Sequence, residues 1–147
     1  MIRDAVYKDI ELLLPLAVEM HTSSKSYAYL KLDLNKVRDY AKMYIDHNNK
    51  YFRVYDKGNH LSAFFLGHLS KCFFGNQIVA AQAGLFTDEE TPMCGIRLSK
   101  DFERWCKKRG AVEVTYGITT SHDRERHDKF MSRLGYSDCG TVYKKRL

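Results

Sequence analysis

Proline and glycine are scarce here, two and nine in 147 residues, which leaves no composition for a long disordered linker. Long apolar runs are missing too. No segment approaches the roughly 20 apolar residues that a membrane helix needs. The start, "MIRDAVYKDIE", is charged at once and has no apolar stretch of signal-peptide length. The expected location is therefore the cytoplasm, with no membrane partner. Cys72, Cys94, Cys106 and Cys139 lie far apart with no C-x-x-C pair. A zinc site needs clustered ligands, so no metal is expected and the thiols read as reduced and idle.

What is present suits a globular protein: 44% hydrophobic and 13% aromatic residues. The length predicts one domain, 1–147, large enough to bury a core without disulfides. The net charge of +6 is unevenly placed. Residues 1–96 hold 11 Lys and Arg against 11 Asp and Glu, whereas 97–147 hold 13 against 7. A basic end favours an anionic partner, be it a phosphate-bearing cofactor, an acidic protein or nucleic acid, or else is a solvated surface.

Residues 1–6 read as a short strand. From Asp9 to about His21, Ile10, Leu13, Leu14, Ala17 and Met20 recur at helical spacing, and Pro15 predicts a kink or break. "TSSKSYAYLKL" (22–32) reads as a loop. Asp33 is a cap for a second helix with Leu34, Val37, Tyr40, Ala41, Tyr44 and Ile45 on one stripe. "YFRVYD", "HLSAFFLGHLSK" and "QIVAAQAGLFT", separated by short turns, predict an antiparallel meander. In "TDEETPMCGIRLSKDFERWCKKRGA" (87–111), Leu98, Phe102 and Trp105 share a helical face, Lys107, Lys108 and Arg109 suit the last turn, and Gly110 stops the helix. "AVEVTYGI" is the next strand, so the unit is a crossover. Residues 122–134 predict a weaker helix with Phe130, Met131 and Leu134 inward. "GYSDCGTVYKKRL" predicts one or two short final strands.

This order, with "GIRLSKDFERWCKKRGA" and "FMSRLGYSDCGTVYKKRL", resembles the GCN5-related N-acetyltransferase (GNAT) superfamily over nearly the whole chain. Small phage and bacterial members look similar in length and ending. The resemblance implies an α/β (α+β) fold with a mixed, mostly antiparallel central sheet flanked by helices on both faces. It also implies acetyl-CoA as cosubstrate and acetyl transfer to an amine. The family's cofactor loop, Q/R-x-x-G-x-G/A, aligns with Glu90, Met93 and Gly95, so one of three signature residues is kept. Such a loop acts through main-chain N–H groups and the positive end of the following helix. Its carry-over assigns cofactor binding to Met93, Cys94, Gly95, Ile96, Arg97 and Leu98, and to the strand end Leu85, Phe86 and Thr87, whose backbone would pair with the pantetheine arm.

The family's acid–base residues are not kept. The strand positions where it often places a Glu or His hold Val79, Ala81 and Ala83. Its usual Tyr is Met131, and its frequent Asn is Arg124. His122 is the substitute expected to be catalytic, since an imidazole titrates near neutral pH. Tyr143 is a lesser candidate, and His127 reads as a surface residue. The acceptor, a small-molecule or protein amine, is expected between the first helical pair, including 23–31, and the strand face of Val79 to Ala83. A second reading is a weakened or inactive GNAT-fold protein that binds a partner through its basic end. Nucleic-acid binding is disfavoured, because the basic clusters interleave acids and lack an RNA-recognition strand pattern. A homodimer stays open.

Overall fold

The structure is a computed structural model that describes residues 1–88, 90–91, 93–117 and 124–147. Strand β1 (Ile2–Asp4) leads into helix α1 (Tyr7–Ser23). Asp9, 1% exposed, starts that helix by accepting from Val6 N at 2.9 Å and from Arg3 at 2.6 and 2.9 Å. Burial alone would raise its pKa, but the Arg3 guanidinium and the Val6 N–H reverse this and hold it below the usual carboxylate range. The break predicted at Pro15 does not occur, and α1 is helical through it. The carbonyl that loses its partner belongs to Glu11, an exposed residue. Helix α2 (Leu34–Asp46) begins as the sequence predicts, with Asp33 Oδ1 accepting from Asn35 N at 2.9 Å and Lys36 N at 3.3 Å.

The meander is β2 (Lys50–Asp56), β3 (Leu61–Lys71) and β4 (Ile78–Thr87). Gly58, at φ +93°, makes the first turn, and Phe73 and Phe74, each 92% exposed, tip the second. Helix α3 (Met93–Lys108) crosses over to β5 (Ala111–Thr115), and α4 (Arg124–Arg133) follows. The sheet order is β1-β2-β3-β4-β5, antiparallel except for the parallel pair β4–β5. Helices thus flank a mixed, mostly antiparallel sheet on both faces.

Side chains alternate between those faces, as a pleated strand requires. Tyr51, Ala63 and Phe65 meet Leu98, Phe102 and Cys106 of α3. Phe52, Val54 and Phe64 meet Leu13 of α1 and Tyr44 of α2. Gly67 is dictated by the first of these layers. A Cβ there would stand 2.4 Å from Phe102 Cε2, so only a bare Cα admits the ring. Burial pushes the Cys106 thiol up to about 12, leaving it protonated. All four cysteines are free thiols.

The final strands predicted for 135–147 are not formed. After β5 no strand is found among the described residues. Val142 and Tyr143 are 78% and 90% exposed, so the segment has no apolar face to bury against the sheet. Its side chains hold it instead: Lys144 Nζ donates to Ser26 O at 2.5 Å, and Arg146 lies 3.8 Å from the Tyr29 ring centroid. No helix among the described residues is long and apolar enough to cross a membrane.

Candidate functional site

The site begins where two neighbouring strands part. β4 and β5 pair from Ile78↔Ala111 to Ala81↔Thr115, and there the pairing stops. β4 continues to Thr87, and among the described residues no strand pairs with its edge from Gln82 onward on that side. On its other side β4 pairs with β3, but Leu66 faces Gly84 and Gly67 faces Gln82. Ala83 is therefore the extra residue of a bulge, which bends a strand locally. The opening is spanned by the Gln82 amide. Its oxygen accepts from Leu85 N at 3.3 Å and its nitrogen donates to Gly117 O at 3.3 Å. Tyr116, in the same opening, has its phenol pushed well above its ordinary pKa by burial and stays neutral.

At the far end of this edge lies the first turn of α3. Gly95 is buried there, and a Cβ on it would meet Thr87 Cγ2 at 3.3 Å and Leu85 Cδ2 at 3.9 Å. The helix thus starts in close contact with the end of β4 because that residue is glycine. First-turn amides have no carbonyl partner within their own helix. Cys94 N finds Thr91 O at 3.0 Å, and the same end carries the positive pole of the helix dipole.

The structure brings Leu85, Thr87 and Gly95 together. Phe86 points elsewhere, packing beside Phe64 at 6.4 Å between ring centroids. Cys94 and Leu98, 2% and 0% exposed, are core residues whose side chains are spent on the sheet. Ile96 is half-buried, and Met93 is 60% exposed. Arg97 donates to Tyr55 OH at 2.9 Å. Of the neighbouring acids that the structure describes, Glu90 is 81% exposed and 3.9 Å from Lys57. Asp88 accepts from Thr91 Oγ1 at 2.6 Å and lies 3.4 Å from His60. His122 lies outside the described residues. Tyr143 stands on the irregular tail, exposed to solvent, which gives it no place as an acid at this site.

Beside the bulge, on the α1–α2 face, is a cavity of about 620 Å³. Its wall is mainly aliphatic and aromatic, and Gln82, Ala83, Gly84, Leu85 and Gly117 belong to it, so it opens onto the parted strands. His21 and Ser24 line it as well, both missed when the sequence is read for chemistry. His21 Nε2 is 2.8 Å from Leu30 O, while its Nδ1 is buried with no partner among the described residues. Ser24, 1% exposed, likewise has an unpartnered Oγ. Among the described residues no group of three His, Cys, Asp or Glu is placed to hold a metal ion.

Compared with protein-family models and with curated proteins, the sequence finds no match. Solved structures do match over the whole chain. A protein described as a transcriptional regulator from Bacillus halodurans C-125 superposes with a TM-score of 0.77 at 18% identity, covering 100% of this chain and 99% of its own. A ribosomal-protein-alanine N-acetyltransferase from Brucella melitensis biovar Abortus 2308 gives 0.73 at 9%, covering 100% and 99%. An aminoglycoside 6'-N-acetyltransferase from Acinetobacter haemolyticus gives 0.74 at 12%, again covering 100% and 99%.

Proposed function

Starting from a chain with the GNAT acetyltransferase fold, we propose that this protein transfers an acetyl group from acetyl-CoA to an amine. One observation carries the reading: the edge of β4 from Gln82 to Thr87, which no strand among the described residues pairs on the β5 side, runs into the start of α3 at Gly95. That arrangement fits acetyl-CoA. The main chain of Leu85, Phe86 and Thr87 supplies donors and acceptors for the pantetheine amides, by the logic of strand addition. The amides of Met93, Cys94, Gly95, Ile96, Arg97 and Leu98 lead the helix whose positive pole suits a pyrophosphate. Acetyl-CoA brings the acetyl group already activated as a thioester. Gln82 occupies part of the edge through Leu85 N and must turn away when the pantetheine arm enters.

Positioning does most of the remaining work. Holding an amine and an acyl carbon in line is worth several kcal/mol in well-oriented systems, and a thiolate leaves readily because a thiol pKa is about 8.5. Val79, Ala81 and Ala83 cannot move a proton, so the strand contributes shape only. His122 is the sequence's candidate for proton transfer. The acceptor, a small molecule or a protein amine, enters by the cavity under α1 and α2.

The test pairs calorimetry with a thiol-release assay over a panel of amines. Acetyl-CoA should bind in the micromolar range and release CoA only with an acceptor. Gly95→Val, which wedges a side chain against Thr87, should weaken acetyl-CoA binding by about tenfold or more with the sheet intact. His122→Ala should lower turnover without changing cofactor affinity. No binding at millimolar acetyl-CoA overturns the proposal. Binding without turnover on any amine would leave a GNAT-fold binding protein, the reading that the vacant acid–base positions favour.

A further inference from the structure

The cavity also defines what enters it. We infer that it takes a primary amine carried on an apolar body, and that His21 Nδ1 and Ser24 Oγ receive the amine nitrogen. This rests on the acetyl-transfer reading and deepens it.

His21 closes the C-terminal turn of α1 and Ser24 caps it three residues on, so both project from one side of the helix end. A carbonyl oxygen can only accept, so the bond of 2.8 Å to Leu30 O fixes the His21 proton on Nε2. In the neutral ring Nδ1 is then a bare lone pair, and it is buried with no partner among the described residues. The Ser24 hydroxyl is the second unsatisfied polar group lining the same space. Buried polar atoms are nearly always hydrogen-bonded. Two orphans in one cavity mark where a ligand's polar atom belongs, and an amine N–H is the donor that Nδ1 lacks.

The rest of the wall sets the body of the ligand. Leu14, Met20, Val37, Phe64, Leu66 and Leu85 are apolar. Asp33 is the one carboxylate among the described lining residues, and it is committed to the cap of α2. Lys31 and Lys36 stand beside it. A polycation would meet two lysines and a committed acid, so the site selects an apolar amine whose far end is neutral or anionic. His21 supplies the lone pair for the amine's proton. The amine gives that proton to Nδ1 as its nitrogen bonds the acetyl carbon, the C–S electron pair leaves on sulfur, the thiolate takes a proton from His122 or water, and the imidazolium returns its own to water.

The experiment is a titration of histidine-labelled protein with 2-phenylethylamine and, separately, spermine, followed by nitrogen NMR. Free protein should show His21 as the Nε2–H tautomer. Its Nδ1 resonance should shift with 2-phenylethylamine, and spermine should bind at least about tenfold more weakly. His21→Gln retains a donor for Leu30 O and lacks Nδ1; it should melt like the parent and lose about 100-fold in kcat/KM. A preference for spermine, a His21 ring indifferent to 2-phenylethylamine, or an unchanged His21→Gln overturns the inference. Calorimetry with acetyl-CoA separates the two claims. Failure to bind it sinks the acetyl-transfer reading, whereas normal binding with a silent His21 sinks the cavity assignment alone.

Discussion

The two faces of the sheet use the same residue types to opposite ends. On the α3 face Phe65, Phe102 and Leu98 are 0% exposed, and Gly67 gives up its side chain so that the Phe102 ring can lie on the strand. On the α1–α2 face a comparably apolar wall is held apart around about 620 Å³ of space. On the first face the rings close on one another and on the bare strand backbone. Each face has two unpartnered polar atoms among the described residues, Ser99 Oγ and Tyr116 OH on the first and His21 Nδ1 and Ser24 Oγ on the second, but the second pair lines an open volume. Packing holds the fold on one side, and its incompleteness makes a binding site on the other.

Phe102→Ala is the harshest way to break that contrast. It should cost about 4 kcal/mol, read from urea unfolding, because the ring touches Tyr51, Phe65 and Trp105 and nothing nearby is free to collapse. Asp101→Ala should follow at about 3 kcal/mol. Its carboxylate takes Tyr51 OH at 2.6 Å, Arg53 at 2.6 Å and Arg104 at 2.9 Å, and its loss strands a partly buried arginine.

Acid gives a milder probe of the same ties. Burial would raise the pKa values of Asp9 and Asp101; Arg3 and Val6 N–H for the first, and Tyr51, Arg104 and Arg53 for the second, bring them below the ordinary range. A depressed folded pKa gives stability that is fully present above the unfolded value, about 3.9, and is lost as pH falls through the folded one. Thermal melts should therefore be insensitive to these groups near neutrality and drop below about pH 4. Asp9→Asn and Asp101→Asn should each flatten that drop. The smallest effect belongs to the other face. Ala17→Leu adds methylenes to the cavity wall and should change stability by less than about 1 kcal/mol, while abolishing 2-phenylethylamine binding in calorimetry. A large loss of stability there would mean that both faces are equally full.

Much of the framework was legible in the sequence. Asp33 announces α2, the turn residues cut the meander correctly, and Gly110, at φ +78°, ends the crossover helix. These features are local, so local chemistry decides them. The tail misled because "TVYKKRL" alternates like a strand, and alternation does not say whether a face exists to bury it. Of the kink or break expected at Pro15 the break does not form, since the cost of proline depends on whether the orphaned carbonyl is exposed. For Gly95 the structure supplies a physical reason that the sequence does not show: close contact with Thr87. His21 and Ser24 had a readable signal. Extending the stripe Ile10, Leu13, Leu14, Ala17 by helical steps lands on both of them. Polar residues where the period demands apolar ones are expected at functional sites.

The chain's one tryptophan sits on the filled face. Trp105 lies 5.4 Å from the Tyr51 ring and 5.9 Å from Phe102, with Arg109 at 5.1 Å. Its emission is thus an optical reporter for α3 against β2. Loosening of α1 and α2 around a ligand would pass beneath it as spectroscopic silence. Fluorescence and far-ultraviolet dichroism, recorded on the same sample, would then disagree by the amount that the hollow side opens first.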